Sequence, residues 1–313
     1  MAGFETPEVL VLGGGGILGE AWMTALLAGL GEASGFDPRR CDAFVGTSAG
    51  SIVSAMLAAG VEPRTRLGAL PEPPPVAGSE LGGPPGPLAK LLELGVAAAG
   101  TVAAPLAALG LGAIEPGGAR LRRAALRRMR HGTRPLARLG RELDEAGASF
   151  DGRLSVSAVD VDSGRRVMFG APGAPPASVG AAVEASCAIP GVFRPVVVNG
   201  RSYVDGGFWS PTNLDRAPVR RGTRVLCLNP TGSMRPNLQT PFGGVGVLSR
   251  SLAAVEALVL QRRGAKVRIV SPDAASRTAM GANLMDAGPR AQVIAAGLAQ
   301  GRALAGFAKP SSR

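Results

Sequence analysis

The chain opens with two short apolar runs, each followed by a small-residue turn and a longer apolar segment. The first run, EVLVL at 8–12, is typical of a buried strand, and residues 17–30 carry apolar side chains at helical spacing. The pattern repeats with DAFV at 42–45 and SIVSAMLAAG at 51–60. A strand, a turn and a helix, twice in succession, predict βαβ connections and a parallel sheet.

Later segments alternate polar and apolar residues and predict hairpins and further strands. LSVSAVDV and RRVMFG flank a turn at Asp162, and VVVNGRSYVDGG turns at Asn199-Gly200. TRVLCLNP and KVRIVSP predict late strands, and the runs 247–263 and 289–306 predict helices. The predicted fold class is α/β, with three layers in which a central, mostly parallel sheet lies between helices, in a single domain spanning 1–313.

The middle of the chain interrupts this pattern. Residues 63–87 are rich in proline and glycine, which is typical of a linker, and residues 88–114 are rich in alanine, glycine and leucine. The uncharged stretch 94–114 is long enough to cross a membrane, but its weak hydrophobicity and Pro105 argue against a span. We interpret residues 61–118 as a lid-like helical insertion.

A basic helix is predicted next, at about 119–141, with its arginine-rich part at 119–130. Nine arginines lie between Pro116 and Arg141 without a single carboxylate, and the whole chain carries a net charge of +11. The predicted helix at 119–130 has an apolar line formed by Leu121, Ala125 and Met129. A basic helix with an apolar line is typical either of peripheral contact with an anionic membrane or of an ordinary solvated surface. Aromatic residues do not interleave with the arginines, so nucleic acid is not an expected partner.

Composition restricts the expected cellular compartment and the possible catalytic groups. The three cysteines form no CxxC pair, so we expect neither a disulfide framework nor a structural zinc site. The first residues lack the basic and apolar regions of a secretory signal, and a cytoplasmic location is expected. The single histidine, His131, lies among arginines that disfavour its protonated form, so it is a poor candidate for a catalytic base.

Gly13-Gly14-Gly15-Gly16-Ile17-Leu18-Gly19 lies between a predicted strand and a predicted helix. Exposed amides and a helix N-terminus together favour an anion. Two anions are candidates. One is a dinucleotide pyrophosphate, because Gly14, Gly16 and Gly19 match the Rossmann spacing. The other is the oxyanion of an acyl-transfer intermediate. A Rossmann unit should also end its second strand with an acidic residue, whereas here the second strand runs straight into GTSAG and Asp42 lies at its beginning. A glycine turn without a ligand is the third interpretation.

Gly46-Thr47-Ser48-Ala49-Gly50 has the G-x-S-x-G pattern between a strand and a helix. That setting is the one in which a nucleophile elbow exposes a serine hydroxyl.

A nucleophilic serine needs a proton acceptor, and Asp205 is the best-placed carboxylate. It ends a predicted strand and enters the turn made by Gly206 and Gly207. A turn aspartate that caps backbone amides is the alternative. Asp160 and Asp162 have the positions of hairpin residues, and Asp215 that of a surface or capping residue.

With GGGGILG, GTSAG and DGG in this order, the chain resembles the patatin-like phospholipases over roughly residues 8–60 and 150–300. The resemblance implies a serine lipid acyl hydrolase of the phospholipase A, lysophospholipase or esterase type, without a metal or an organic cofactor. It implies Ser48 as nucleophile, Asp205 as base and the amides of Gly14, Gly15 and Gly16 as oxyanion hole. The family usually has Arg or Lys in the glycine loop, where this chain has Leu18.

Two other functions compete with hydrolysis. A dinucleotide-binding oxidoreductase would need a ribose-binding acid and a nicotinamide or flavin, and a catalytically silent lipid-binding relative would not react with a fluorophosphonate.

Overall fold

A mixed, mostly parallel sheet forms the centre of the computed structural model, which describes residues 5–67, 115–129, 132–234 and 245–306. Its eight strands lie in the order β5-β6-β3-β2-β1-β7-β8, and β4 pairs with β3 off this path. The strands are β1 Val9–Leu12, β2 Ala43–Gly46, β3 Leu154–Asp160, β4 Arg166–Phe169, β5 Val196–Val198, β6 Arg201–Asp205, β7 Arg224–Leu228 and β8 Lys266–Val270. The β1–β2, β1–β7, β2–β3 and β7–β8 pairs are parallel, and the pairs of β3 with β4, β3 with β6 and β5 with β6 are antiparallel.

Helices connect the strands and cover the sheet. They are α1 Gly16–Ser34, α2 Ala49–Ala58, α3 Pro63–Arg66, α4 Glu115–Arg128, α5 Ala137–Glu145, α6 Val179–Cys187, α7 Val245–Arg262, α8 Ala274–Met280 and α9 Arg290–Gly306. Short 3-10 turns lie at Pro38–Arg40, Gly206–Phe208, Leu214–Arg216 and Pro230–Ser233.

Side chains that alternate along the strands build a separate core on each face of the sheet. Leu10 and Leu12 of β1 pack with α1, α2, α5, α6, α8 and α9 on one face. Val9 and Val11 pack with α7 on the other face, where Leu126 of α4 also packs on β3 and β6. The result is the predicted three-layer α/β/α arrangement, because a strand sends successive side chains to opposite faces.

The basic segment differs from the prediction of one helix over 119–141. Helix α4 ends at Arg128, α5 begins at Ala137, and Arg134 between them forms a bridge with Phe193. Pro135 explains the break, because proline has no N–H to donate and disfavours helical backbone in the residue before it.

The buried side of α4 also differs from the predicted apolar line. Ala119 and Leu126 are buried, whereas Ala125 and Met129 are only partly buried. The side chain of Leu121 lies outside the described part of the chain.

Most of the predicted insertion 61–118 lies outside the described residues, including the uncharged stretch 94–114. Its first residues form α3, and its last residues begin α4. Among the helices that the structure describes, none is long and apolar enough to cross a membrane.

Candidate active site

Strand register brings Ser48 and Asp205 to the same level of the sheet. Strand β2 ends at Gly46, which pairs with Val156 of β3. Two residues further along β3, Ala158 pairs with Asp205 at the end of β6. Ser48 lies two residues beyond Gly46, so the candidate nucleophile and the candidate base come together over β3 although 157 positions separate them in the sequence.

Ser48 occupies a strained turn between β2 and α2. Its φ of 50° and ψ of −122° lie where residues with a side chain are uncommon. Its N–H donates to Ser186 Oγ at 2.8 Å, which helps to hold the turn. Gly46 and Gly50 allow close packing, since a Cβ on Gly46 would lie 2.5 Å from Ser51 Cα and one on Gly50 would collide with the Leu12 carbonyl. A strained turn between a strand and a helix is the setting that a nucleophile elbow requires.

Asp205 is buried at the start of the turn that follows β6, with 6% of its surface exposed. Its Oδ1 accepts a hydrogen bond of 2.6 Å from the Gly207 N–H. Burial raises the pKa of Asp205 to about 6, although hydrogen bonds from the Ser48 hydroxyl and from Gly207 pull it down. A Cβ on Gly206 would collide with Ser157, so only glycine fits there. The buried Asp205 carboxylate is therefore a stronger base than an ordinary aspartate, and its partner is the Ser48 hydroxyl.

The glycine loop lies directly against Ser48, and its amides differ in availability. A Cβ on Gly14 would lie 3.5 Å from Ser48 Cβ. The Gly14 N–H donates to the Pro211 carbonyl at 2.8 Å, so its only hydrogen is already used. The N–H groups of Gly15 and Gly16 donate to no acceptor among the described residues. The prediction of three donor amides is therefore corrected for Gly14, which anchors the loop.

The backbone of the loop is closely packed. Gly16 has a φ of 59°, and a Cβ on it would lie 2.8 Å from the Leu284 carbonyl oxygen. The Gly19 N–H closes the first helical turn on the Gly15 carbonyl. Leu18, at the position where the family usually has a cation, is fully buried in the apolar core. Its N–H donates to the Leu284 carbonyl at 3.0 Å, so this position is held by a backbone hydrogen bond and apolar packing.

The dinucleotide interpretation finds no support in this arrangement. Asp42 is exposed, and its N–H donates to the Glu8 carbonyl beside the start of β1. The opposite end of β2, where a ribose-binding acid would lie, leads into Thr47 and Ser48.

Other predicted residues lie away from Ser48. Asp160 is a hairpin residue that accepts from the Ser163 N–H at 2.7 Å and from Arg201 at 2.6 Å. Asp215 is not a simple surface or capping residue, because it forms a bidentate ion pair with Arg166. His131 lies outside the described residues.

The cysteines and the acidic residues form neither a disulfide nor a metal-binding group within the described residues. All three cysteines are free and buried, and burial raises the pKa of each thiol above its ordinary value. Within the described ranges, no three His, Cys, Asp or Glu side chains form a group that would hold a metal ion.

Sequence reasoning missed a buried polar cluster behind the site. Its members include Ser157, Ser186, Asn213 and Glu256, all of which are buried. Asn213 stands in a polar segment and Glu256 in the largely apolar helix α7, and only the hydrogen bonds formed on folding reveal their roles. The segment SPTNLD, so soon after the DGG turn, was the one local hint.

The patatin-like phospholipase family model matches residues 10–73 and 78–218. A comparison with curated proteins finds no match. Solved structures that align with the chain include VipD from Legionella pneumophila, at 16% identity and a TM-score of 0.43, covering 97% of this chain and 67% of that one. The type III effector protein ExoU aligns at 18% identity and a TM-score of 0.28, covering 83% of this chain and 54% of that one.

The matched residues differ in extent from the sequence-based expectation. The match includes most of the middle segment and stops at 218, whereas the resemblance was expected to skip residues 61–149 and to continue to about 300. It nevertheless covers well over half of the chain and contains the glycine loop, the serine elbow and the DGG turn. The chain belongs to the patatin-like phospholipase family.

Proposed function

We propose that this protein is a serine lipid acyl hydrolase in which Ser48 is the nucleophile and Asp205 the general base. The observation that carries the proposal is the pairing of a serine on a strained turn with a buried carboxylate. Asp205 has a raised pKa of about 6 and the Ser48 hydroxyl as a partner. At neutral pH such a carboxylate is ionised, yet it is a better proton acceptor than an exposed aspartate.

The reaction would proceed in two halves. Asp205 accepts the Ser48 proton while Oγ attacks the ester carbonyl carbon, and the resulting oxyanion lies against the amides of Gly15 and Gly16. Collapse of this intermediate breaks the ester bond, and the leaving alcohol takes the proton from Asp205. Asp205 then removes a proton from water, which attacks the acyl-serine and releases the carboxylic acid while Ser48 regains its proton.

The substrate class follows from the family together with the surface of α4. Arg120, Arg123, Arg127 and Arg128 are exposed, and none of them pairs with a carboxylate among the described residues. Anionic head groups would complement this surface, which we propose as a peripheral contact with an acidic membrane. Phospholipids and lysophospholipids are therefore favoured over small soluble esters as substrates.

Labelling with a fluorophosphonate, followed by mass mapping of the modified peptide, tests the assignment of Ser48. The label should attach to Ser48, and Ser48→Ala should abolish both labelling and ester hydrolysis, with a loss in rate of about 10⁶-fold.

Ser54→Ala is the matched control for this experiment. Ser54 is also a buried serine, it lies in α2, and its hydroxyl has no hydrogen-bond partner among the residues that the structure describes. Its removal should leave labelling and turnover unchanged. Labelling of a different residue, or an active Ser48→Ala protein, would refute the proposed nucleophile. An unlabelled wild type that still binds lipid would favour a catalytically silent lipid-binding protein.

A further inference from the structure

One short segment, residues 210–213, contacts all three motifs of the candidate active site. The Pro211 carbonyl accepts from the Gly14 N–H of the glycine loop at 2.8 Å. The Thr212 carbonyl accepts from Thr47 Oγ1, beside Ser48, at 3.4 Å. Asn213 reaches both the elbow and the turn that follows Asp205. The segment thus joins three parts of the chain that are far apart in sequence.

Asn213 makes the central contacts of this segment. It is fully buried and has a left-handed backbone, with a φ of 49°, which asparagine tolerates better than most residues. Its Nδ2 donates to the Ser210 carbonyl at 2.7 Å and to Thr47 Oγ1 at 3.0 Å. Longer contacts reach Ser157 Oγ at 3.2 Å and the Gly206 carbonyl at 3.4 Å, so four acceptors share two amide hydrogens.

The orientation of the Asn213 amide is set by Arg166. One guanidinium nitrogen of Arg166 donates to Asn213 Oδ1 at 2.9 Å. Arg166 is itself held by Asp215 through bonds of 2.7 and 2.6 Å. Since the guanidinium can only donate, the oxygen of the amide faces Arg166 and the NH₂ group faces the active-site motifs. The Asn213 side chain therefore has one orientation that satisfies its neighbours.

The Thr47 hydroxyl transmits this constraint to the elbow. It donates to the Thr212 carbonyl and accepts from Asn213 and Ser157, so its hydrogen and both of its lone pairs have partners. Thr47 immediately precedes Ser48, and its N–H is held by the Leu12 carbonyl at 3.0 Å. Both side chain and backbone of Thr47 are thus held before the strained turn at Ser48.

The Gly206–Gly207 peptide transmits the constraint to the base. Its carbonyl oxygen accepts from the Trp209 N–H at 3.0 Å and the Ser210 N–H at 3.3 Å, and Asn213 Nδ2 approaches it at 3.4 Å. Its N–H donates to Asp205 Oδ1 at 2.6 Å. Hydrogen bonds on both sides of one peptide group reinforce one another, because each polarises the group toward the other. The rotation of this peptide decides where the Asp205 carboxylate points.

Glu256 of α7 holds the segment from the opposite side. Its Oε2 accepts from Thr212 Oγ1 at 2.6 Å and from the Leu214 N–H at 2.8 Å. Glu256 is buried, and it makes these bonds to the residues on either side of Asn213. The segment is therefore clamped by α7 as well as by the motifs that it joins.

We propose that Asn213 is a positioning residue, which sets the Ser48 hydroxyl and the Asp205 carboxylate in register with each other. This inference rests on the proposed function and adds to it a residue that touches neither the substrate nor the transferred proton. Small misplacements of reacting groups cost as much as about 10²-fold in rate, so loss of such a residue should lower kcat rather than weaken substrate binding.

Asn213→Gly is the first test, because glycine accepts the left-handed backbone and removes only the side chain. With a short soluble ester, kcat should fall about 10²-fold while KM stays near the wild-type value. The rate of fluorophosphonate labelling of Ser48 should fall in parallel. Asn199→Gly is the matched control, since Asn199 is also a left-handed asparagine, with a φ of 50°, but lies exposed in the β5–β6 turn.

Asn213→Asp is the second variant. It keeps the size of the side chain and the oxygen facing Arg166, but it cannot donate to Thr47, Ser157 or Gly206. It should show the same loss in kcat while remaining folded by near-ultraviolet circular dichroism.

The outcomes separate the two proposals. Folded Asn213 variants with wild-type kcat and labelling rate would overturn the positioning role alone, and so would failure of both variants to fold. A wild type that neither hydrolyses esters nor reacts with the fluorophosphonate would overturn the proposed function and this inference with it.

Discussion

The interior of the candidate active site and the outer face of α4 differ in the burial of their polar groups and in the partners of those groups. Around Ser48, the hydroxyls, amides and carboxylates are buried and bond to one another across long sequence separations. On α4, Arg120, Arg123, Arg127 and Arg128 are exposed without carboxylate partners among the described residues. Burying polar groups requires partners from within the chain, whereas exposed charges remain available to partners outside it. The first region is therefore suited to a fixed geometry and the second to a surface.

Arg122 also lies on α4, but unlike the four exposed arginines it is half-buried and contacts the body of the protein. Its guanidinium lies 3.5 Å from the centre of the Trp209 ring and donates to the Gly164 carbonyl at 3.2 Å. Arg166, the partner of Asn213, approaches the same ring at 5.0 Å. The arginines of α4 are thus not one uniform surface, and a test of membrane contact should leave Arg122 in place.

After the loss expected for Ser48→Ala, the next largest effect distinguishes the buried carboxylate of the interior site from an exposed one. Asp205→Asn keeps the shape of the side chain but cannot accept the Ser48 proton, so kcat should fall by about 10⁴-fold. Asp42→Asn, at an exposed aspartate, is the control and should leave kcat unchanged.

The pH profile of the wild type gives a second measurement of the same prediction. Because the base must be ionised, kcat/KM should fall as the pH drops through about 6, the raised pKa of Asp205. An acid limb near the ordinary aspartate pKa of 3.8, or full activity in Asp205→Asn, would remove Asp205 from its role.

A smaller effect should appear when only the surface region is changed. Replacing Arg123, Arg127 and Arg128 together by Gln should weaken binding to vesicles with acidic lipid by about 10²-fold, since each basic residue contributes about 1 kcal/mol. Wild-type binding should itself weaken as salt is added. Sedimentation with anionic and with neutral vesicles measures both effects, and hydrolysis of a short soluble ester should not change.

The control for this triple variant removes the same charge at the other end of the sheet. Arg220, Arg262 and Arg263 are exposed near the amino ends of β7 and β8. Their replacement by Gln should leave vesicle binding at the wild-type level. Equal losses in both triple variants would show that net charge, rather than the face of α4, governs binding. Binding that ignores both salt and lipid charge would identify α4 as an ordinary solvated helix.

The smallest effect concerns stability and has the opposite sign to the loss of activity. Burial raises the pKa of Asp205 from 3.8 to about 6, so the folded state holds this proton more tightly than the unfolded state does. The protonated Asp205 carboxyl stabilises the folded state. This stabilisation is complete below pH ~4 and is lost as the pH rises through about 6. Asp205→Asn should therefore be more stable than wild type at pH ~8, by at most about 3 kcal/mol.

Urea unfolding at several pH values measures this difference. The advantage of Asp205→Asn should shrink as the pH falls and approach zero below pH ~3, where the wild-type carboxyl is protonated in both the folded and the unfolded state. A variant that is less stable than wild type at alkaline pH would contradict the view that ionised Asp205 strains the fold.

Local patterns in the sequence predicted the strands, the hairpins and the three-layer fold. Strand β1 and helix α1 differ from their predicted bounds by only a few residues, because apolar runs and glycine turns are local signals. The same holds for the turn at Asn199-Gly200. The break between α4 and α5 was also signalled locally, by Gly132 and Pro135, but the continuous run of arginines concealed it.

The interior polar cluster could not be predicted in the same way. Asn213 and Thr47 are 166 positions apart, and no periodicity links them. The Gly14 amide shows the same limit, because its acceptor, the Pro211 carbonyl, lies in a segment that only the folded chain brings near. Motif spacing identifies which glycines approach Ser48, but the partners of each N–H depend on tertiary packing.

The position of Trp209 gives this protein a built-in optical reporter. The chain has only two tryptophans, and the other, Trp22, is fully buried and donates to Gln300 at 2.8 Å. The emission of an indole depends on the electric field across its ring, and the Arg122 guanidinium lies against Trp209. Any displacement of α4 from the body of the protein would therefore change the fluorescence of Trp209 and leave that of Trp22 nearly constant, without an attached dye.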